Sequence, residues 1–347
     1  MTEPAPDDRL MARAVELAAR GLGRTRPNPA VGAVVARGGR IFGEGWHRRA
    51  GCDHAEVAAI KNALAKAGAG RAADAAENGF FKDATLYVTL EPCSSPGRVG
   101  ACTDAIIAAG IPKVVYAVPD PNPKNRGKAK RALAKAGIAC ERFKGDRDVL
   151  KSAESLVRGF RKHILTGLPF VTVKIAMSLD GRICDCAGNA KWISSEGSRR
   201  ITGCGLRDAA DAIMVGAETV RRDNPSLLCH GRRHDGLIRV VVSKSGNLPA
   251  DARLFTDGAP NATLVFDDAK KALAELGRMG VTSVLCEGGL NLARSLADQG
   301  LVDSWITVMA PKVIGSRTVE KALCGKIDTD GSRVRCGDSF LSVDFGG

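Results

Sequence analysis

His54-Ala55-Glu56 and Glu91-Pro92-Cys93, with Cys102 nine residues further on, decide the fold of the first half of this sequence. Each lies where the hydrophobicity pattern changes between strand and helix. The pattern predicts a helix over 54–67, a strand over 85–90 and a second helix over 102–110. Because helix and strand alternate in this way along the whole chain, an α/β architecture is expected.

These residue types also form a chemically meaningful set. One imidazole and two thiols are typical ligands of zinc, and three protein ligands leave a fourth position for water, whose pKa zinc lowers to about 7. A carboxylate beside the metal, here Glu56, can carry the proton from that water to a ring nitrogen and then to departing ammonia. The order His-x-Glu, Pro-Cys, Cys is typical of zinc-dependent nucleobase deaminases, although nine residues separate Cys93 from Cys102 instead of three.

Taken alone, a histidine such as His54 is more often a core residue, and a cysteine such as Cys93 or Cys102 is more often inert. The joint occurrence of the three favours a metal site. A catalytically idle protein with structural zinc is one alternative. Structural sites usually take four protein ligands, and only three lie in register here.

Length and composition fit a globular enzyme of two domains. The chain has 347 residues, a net charge of +13 and eleven cysteines without a disulfide framework spacing. It shows no signal peptide and no long apolar segment, so a cytoplasmic location is expected. The positive charge is interpreted as solvated helix surface or as attraction for phosphorylated metabolites. With two Tyr and three Trp, neither nucleic acid nor membrane is expected as a partner.

Domain boundaries are predicted from the residues at which helices end and strands begin. We predict a deaminase domain over 1–148, a linker over 149–168 and a second domain over 169–347, because Pro169 stops a helix and a strand begins at 170. Further predicted helices and strands lie at 9–20, 31–36, 40–45, 113–118, 129–136, 138–143, 170–177, 212–215, 238–243, 262–266, 283–286 and 304–310.

The second half lacks a Gly-x-Gly-x-x-Gly in a strand–turn–helix context, so a Rossmann cofactor site is not supported. Glu287-Gly288-Gly289 follows a predicted strand instead, where backbone N–H groups could hold a phosphate or simply form a tight turn. Lys174, on a hydrophobic strand, needs a partner, and Glu287 is expected to provide it, either for catalysis or as a structural salt bridge.

Longer motifs resemble the riboflavin-biosynthesis deaminase–reductase family. In the first half these are Pro27–Gly32, Gly43–Gly51, His54–Val57, Thr89–Ser94 and Asp120–Pro123. In the second half the matching pieces are Lys174–Gly181, Trp192-Ile193, Arg207, Asp211–Ile213, Gly216, Thr219-Val220, Asp223–Leu227, Glu287–Gly289, Leu301–Asp303 and Ala310–Gly315.

The resemblance implies a cytidine-deaminase-like three-layer domain followed by a dihydrofolate-reductase-like domain. It further implies Zn²⁺ and NADPH as cofactors, a phosphorylated pyrimidine as substrate, and a homo-oligomer, a dimer through the reductase domain. The expected activities are hydrolytic deamination of 2,5-diamino-6-(5-phosphoribosylamino)pyrimidin-4-one and reduction of its ribosyl chain to ribityl. The alternative is a nucleoside or tRNA deaminase with an appended nucleotide-binding domain.

The expected site residues fall into four groups. His54, Cys93 and Cys102 are the metal ligands, and Glu56, Lys174 and Glu287 are the catalytic residues. Substrate is expected to contact Asn28, His47, Arg207, Leu227 and Glu287, and cofactor to contact Ala176, Trp192, Thr219, Asp223, Gly288 and Gly289. The sequence departs from the family pattern at Ser95, Gly100-Ala101, Ala190, His230 and Lys244, so the departures fall among the substrate-contact positions, whereas the zinc ligands and Glu56 follow the pattern.

Overall fold

The structure of the chain is a computed structural model that describes residues 5–68, 72–95, 100–184, 193–228, 236–259, 261–311, 313–314 and 339–345. The chain forms two compact units, Met1–Gly167 and Leu168–Gly347. In the described parts of the chain, no helix is both long and apolar enough to cross a membrane.

The first unit alternates helices and strands. In chain order they are α1 (Pro6–Ala19), β1 (Gly32–Arg37), β2 (Arg40–Trp46), α2 (Ala55–Lys66), α3 (Ala72–Glu77), β3 (Thr85–Leu90), α4 (Cys102–Ala109), β4 (Lys113–Val118), α5 (Lys128–Lys135), β5 (Ala139–Arg142) and α6 (Arg147–Thr166).

The strands of this unit form a five-stranded sheet, counted over the described residues, in the order β2-β1-β3-β4-β5. β1 is antiparallel to β2 and β3, whereas β3, β4 and β5 are parallel. Val34, Leu86 and Val114 are fully buried in its core. The parallel arrangement places the ends of β3 and β4, which precede Cys93 and Asp120, at the same edge of the sheet.

Helix α2 lies unusually close to β2. A Cβ at Gly45 would stand 2.4 Å from the backbone nitrogen of Ala59 and 2.6 Å from the carbonyl oxygen of Ala55. A side chain cannot be accommodated there without moving the helix. Since His54 is the N-cap residue of α2, this contact helps to fix the position of the zinc-ligand candidate.

Residues 149–168, predicted as a linker, form most of α6 in the structure. The helix begins after Asp146, whose side chain accepts hydrogen bonds from Asp148 N and Val149 N, and ends at Gly167 in the left-handed conformation. Ala153 and Val157 on α6 are buried in the core of the first unit. The helix is therefore an integral part of that unit.

The second unit follows the same alternation. Its elements are β6 (Phe170–Ser178), α7 (Glu196–Arg200), a π-helical segment (Ile201–Leu206), α8 (Arg207–Ala209), β7 (Ala212–Gly216), α9 (Ala217–Asp223), β8 (Ile238–Val242), α10 (Arg253–Thr256), β9 (Leu264–Phe266), α11 (Ala269–Arg278), β10 (Ser283–Cys286), α12 (Leu290–Asp298), β11 (Ser304–Ala310) and β12 (Ser339–Asp344).

The described strands of this unit form a seven-stranded sheet in the order β12-β11-β6-β10-β7-β8-β9, parallel except for β12. Both faces are covered, as is usual for parallel sheets. Met214 and Cys286 are buried on the face that packs against α11 and α12, whereas Ile213 and Leu285 are buried in a second core with Val220 of α9.

Candidate active sites

The three predicted zinc ligands meet at one point of the first unit. Cys93 follows β3, Cys102 is the first residue of α4, and His54 caps α2. His54 Nδ1 lies 3.1 Å from Cys102 Sγ and 3.6 Å from Cys93 Sγ, and the two sulfur atoms are 3.3 Å apart. Their donor atoms form the group that could hold a metal ion among the described residues.

The three distances, 3.1, 3.6 and 3.3 Å, lie at or a little below those between the ligands of one zinc ion, so the donors are close enough together to bind it. Zn–N bonds of about 2.0 Å and Zn–S bonds of about 2.3 Å in tetrahedral geometry separate the donors by roughly 3.4–3.8 Å. The Cys102 backbone N–H also donates to Cys93 Sγ over 3.3 Å. The pKa of the Cys93 thiol falls to about 4, because Cys102 and His54 hydrogen-bond its thiolate and outweigh the effect of burial. A thiolate is the form that binds a metal.

Glu56 lies in the first turn of α2, two residues after His54, and is buried. Its carboxylate is not a member of the ligand group, yet the side chain lines the same cavity as His54 and Cys93. Burial raises the pKa of Glu56. A buried carboxyl with a raised pKa, beside a metal ligand set, is suited to accept and return a proton.

Asn28 and His47 are joined in a hydrogen-bonded chain beside this site. His47 Nδ1 lies 3.0 Å from the Asp53 carbonyl oxygen, so it carries the proton, and Nε2 accepts from Asn28 Nδ2 over 3.1 Å. Burial lowers the pKa of His47, which favours this neutral form. These two hydrogen bonds fix the Asn28 carboxamide and leave its oxygen and its second N–H for a ligand.

The cavity over the zinc ligands has a volume of about 340 Å³, within the range of small-molecule sites. Five residues singled out from the sequence line it together: Asn28, His47, His54, Glu56 and Cys93. Four residues outside the sequence motifs also line the cavity: Phe160, His163 and Ile164 of α6, and Asn125 after β4.

A second cavity, of about 560 Å³, lies in the second unit. It brings together seven residues named from the sequence: Lys174, Ala176, Thr219, Asp223, Glu287, Gly288 and Gly289. Gly216 and Gly289 are the N-cap residues of α9 and α12. A Cβ at Gly288 would lie 2.8 Å from the Cδ2 methyl of Leu292, so a larger residue there would require the leucine side chain to move.

Glu287 is paired with Arg207, and this corrects the pairing expected with Lys174. Arg207 Nε and Nη2 donate to the two carboxylate oxygens over 3.1 and 2.7 Å. Burial would raise the pKa of Glu287, but the charges of Arg207 and Lys174 and the Arg207 hydrogen bonds hold it below its usual value. Burial lowers the pKa of Lys174, against the opposing charge of Glu287.

Family models match both halves of the chain. The cytidine and deoxycytidylate deaminase zinc-binding region matches residues 4–118, and the RibD C-terminal domain matches residues 169–339. The riboflavin biosynthesis protein RibD of Escherichia coli is 35% identical over 346 residues, with 89% of each chain covered. That of Aquifex aeolicus is 34% identical, covering 89% of this chain and 88% of the relative. The chain belongs to the RibD family.

Solved structures of the RibD family have the same fold. Acinetobacter baumannii RibD has a TM-score of 0.75 at 33% identity, and covers 90% of this chain and 88% of its own. The diaminohydroxyphosphoribosylaminopyrimidine deaminase/5-amino-6-(5-phosphoribosylamino)uracil reductase of Thermotoga maritima has a TM-score of 0.76 at 32% identity, with the same coverage. The expected succession of a cytidine-deaminase-like domain and a reductase domain is confirmed.

Membership of the RibD family confirms the activities expected from the motifs. The chain is a zinc-dependent deaminase and an NADPH-dependent reductase of riboflavin biosynthesis, and this function is favoured over a nucleoside or tRNA deaminase.

Some of the named positions do not lie in a described cavity. Trp192, Ala190 and His230 lie outside the described residues. Leu227 is buried in the second core of the reductase unit, with a positive φ of 59°, so its side chain packs against protein. Arg207 uses Nη1 to bond the Leu228 carbonyl oxygen over 3.1 Å, besides its two bonds to Glu287.

Proposed function

We propose that this chain hydrolyses the 2-amino group of 2,5-diamino-6-(5-phosphoribosylamino)pyrimidin-4-one and then reduces the ribosyl chain of the product to ribityl. The observation that carries the proposal is the convergence of His54, Cys93 and Cys102, with the buried Glu56 facing the same cavity. The Thermotoga maritima relative is named for the same pair of reactions.

In the deaminase cavity, His54, Cys93 and Cys102 would hold zinc, which makes water nucleophilic at neutral pH. Glu56 takes one proton from the attacking water and delivers it to the ring nitrogen. It then takes the second proton from the hydroxyl group added at C2 and passes it to the amine, which leaves as ammonia when its C–N bond breaks and the C2 carbonyl forms. The raised pKa of Glu56 supports both directions of transfer. Asn28, held by His47, is positioned to hydrogen-bond the edge of the pyrimidine.

In the reductase cavity, NADPH would supply a hydride to C1 of the opened ribosyl chain. Lys174 and Glu287 face this cavity and are the groups proposed to bind the substrate oxygen or nitrogen and to supply the proton. Backbone N–H groups at Gly288 and Gly289, with Thr219 and Asp223 of α9 and with Ala176, are proposed to hold the cofactor. Arg207 is proposed to orient Glu287.

A homodimer through the reductase unit is also proposed. β12 lies at the edge of the described sheet, and Leu341, Val343 and the adjacent Phe345 are each more than half exposed. Apolar side chains on an edge strand usually require a covering partner. Sedimentation of the chain and of a Leu341→Lys/Val343→Lys variant tests this: the variant is expected to sediment as a monomer, and unchanged dimers would refute it.

The two activities can be tested separately with the full chain. Ammonia release and NADPH oxidation are followed on the diaminopyrimidine substrate, and Glu56→Gln is expected to lower ammonia release by 10²–10⁴-fold with zinc retained. Glu77→Gln, the same change at an exposed position of the first unit, is the control and should keep full activity.

Lys174→Met gives the reciprocal result in this assay, with ammonia release retained and NADPH oxidation lost. Ammonia release by Glu56→Gln at the wild-type rate would refute the role of Glu56. Ammonia release without NADPH oxidation by the wild-type chain would refute the reductase proposal.

A further inference from the structure

The carboxyl-terminal half of α6 forms one side of the deaminase cavity. Phe160, His163 and Ile164 line it, and none of them belongs to the motifs that identify the zinc site. They continue the apolar stripe that begins with Ala153 and Val157 in the core. Because the spacing of the stripe is three or four residues, one face of α6 runs from the core into the cavity.

The position of α6 is well fixed at its beginning. Asp146 caps its first turn, and the Asp146 backbone N–H donates to Asp8 Oδ1 of α1 over 2.8 Å. The helix thus presents His163 from a rigid element, and a side chain on such an element can hold a ligand more accurately than one on a loop.

Two residues that line this cavity each carry a polar atom with no hydrogen-bond partner in the described part of the chain. These atoms are His163 Nδ1 and Asn125 Oδ1, and both are buried. Buried polar atoms are nearly always hydrogen-bonded, so a pair without partners beside one cavity calls for an explanation. A ligand with polar groups at that place would supply both partners.

The orientation of Asn125 defines which ligand groups fit. Burial raises the pKa of Asp120, and the nearby Asn125 amide opposes this rise. Because a carboxylate accepts but does not donate, the amide nitrogen is the atom that faces Asp120. Asn125 Oδ1 consequently faces away and can only accept a hydrogen bond. A hydroxyl satisfies it, whereas a phosphate oxygen or a carbonyl does not. His163 Nδ1 can donate to, or accept from, a second hydroxyl.

We propose that His163 and Asn125 form a subsite for the ribosyl hydroxyls of the deaminase substrate, so that α6 determines specificity for ribosylated pyrimidines. The inference rests on the deaminase activity proposed above, and it adds two residues to that site. Neither residue touches the zinc ligands through a hydrogen bond given by the structure, which is consistent with binding a part of the substrate that does not react.

The test compares the ribosylated substrate with its ribosyl-free base in the full-length zinc enzyme. For His163→Ala and Asn125→Ala, the KM for 2,5-diamino-6-(5-phosphoribosylamino)pyrimidin-4-one is expected to rise about tenfold with kcat within twofold, as for loss of a hydrogen bond. The Ki of 2,5,6-triaminopyrimidin-4-one as a competitive inhibitor should stay unchanged. Arg161→Ala, an exposed change on the same helix, is the control.

His163→Asn distinguishes recognition from packing, because the asparagine amide can occupy the place of Nδ1. It is expected to restore the KM to within threefold of the wild-type value. An unchanged KM in His163→Ala, or a Ki that rises in parallel with KM, would overturn the subsite. No ammonia release by the wild-type chain would instead refute the deaminase proposal, and with it the subsite.

Discussion

Replacing Arg207 by methionine isolates the contribution of its ion pair with Glu287, because methionine retains much of the apolar stem. The structure shows two charge-assisted hydrogen bonds between side chains that are only 17% and 11% exposed. Removing one partner of a buried pair costs about 3–5 kcal/mol. Since Lys174 remains as a nearby positive charge, the lower end, about 3 kcal/mol of unfolding free energy, is expected.

The effect should depend on pH with a defined sign. Because the pKa of Glu287 in the folded chain lies below its ordinary value of 4.5, the carboxylate stabilises the fold above that value. The stabilisation is lost as pH falls through the lower folded pKa. The difference between wild type and Arg207→Met is therefore full at pH 7 and declines below about pH 4.5.

Urea unfolding of the reductase unit in the full-length chain measures this difference, and a double-mutant cycle with Glu287→Gln measures the coupling. NADPH oxidation should fall in Arg207→Met, whereas ammonia release, which belongs to the other unit, should be unchanged. A coupling below about 0.5 kcal/mol, the level of an exposed pair, would refute the reasoning.

Three further results are expected. Removal of zinc by a chelator should abolish ammonia release but leave NADPH oxidation of the deaminated substrate intact. Loss of both activities would contradict the assignment of deamination to the first unit and of reduction to the second. Glu44→Gln should cost about 1 kcal/mol at pH 7 in urea unfolding, because hydrogen bonds from Arg13 lower the pKa of Glu44. That cost should vanish as pH falls through the folded pKa, whereas a difference that persists in acid would indicate a packing effect. Gly45→Ala should cost about 1–3 kcal/mol by displacing α2 and should weaken zinc retention, measured by metal analysis after dialysis; full retention would refute the proposed coupling.

The zinc site could be predicted from the sequence because its residues lie at the ends of predictable elements. The strand over Thr85–Leu90 and the helix beginning at Cys102 were both recognisable from local patterns. The parallel pairing of β3 with β4 then brings the following loops to one edge of the sheet.

Long-range pairing in the second unit was less predictable. Hydrophobic patterns place Lys174 within one buried strand and Glu287 directly after another, but they do not show which cation reaches the carboxylate. Arg207 does so across 80 positions of the chain. Leu227 occurs within a motif, and its burial in the core follows from tertiary packing alone.

Helix α6 was missed although its signals are present in the sequence. Asp146 is a typical N-cap, Gly167 a typical C-cap, and Ala153, Val157, Phe160 and Ile164 have helical spacing. Many basic residues lie between these apolar residues, so the segment resembles a polar linker in the sequence. The apolar stripe covers only one side of a helix that is otherwise exposed to solvent.

The packing of α6 also defines where the two enzymes could be separated in evolution or by protein engineering. The matched zinc-binding region ends at residue 118, but the physical unit continues to Gly167 and takes a wall of its cavity from the last helix. A gene cut at residue 148 would yield a protein with every zinc ligand and an open-sided pocket. A cut between Gly167 and Leu168 would leave each cavity with all of the described residues that line it, which makes that bond the natural site for fission of the gene or for exchange of its halves.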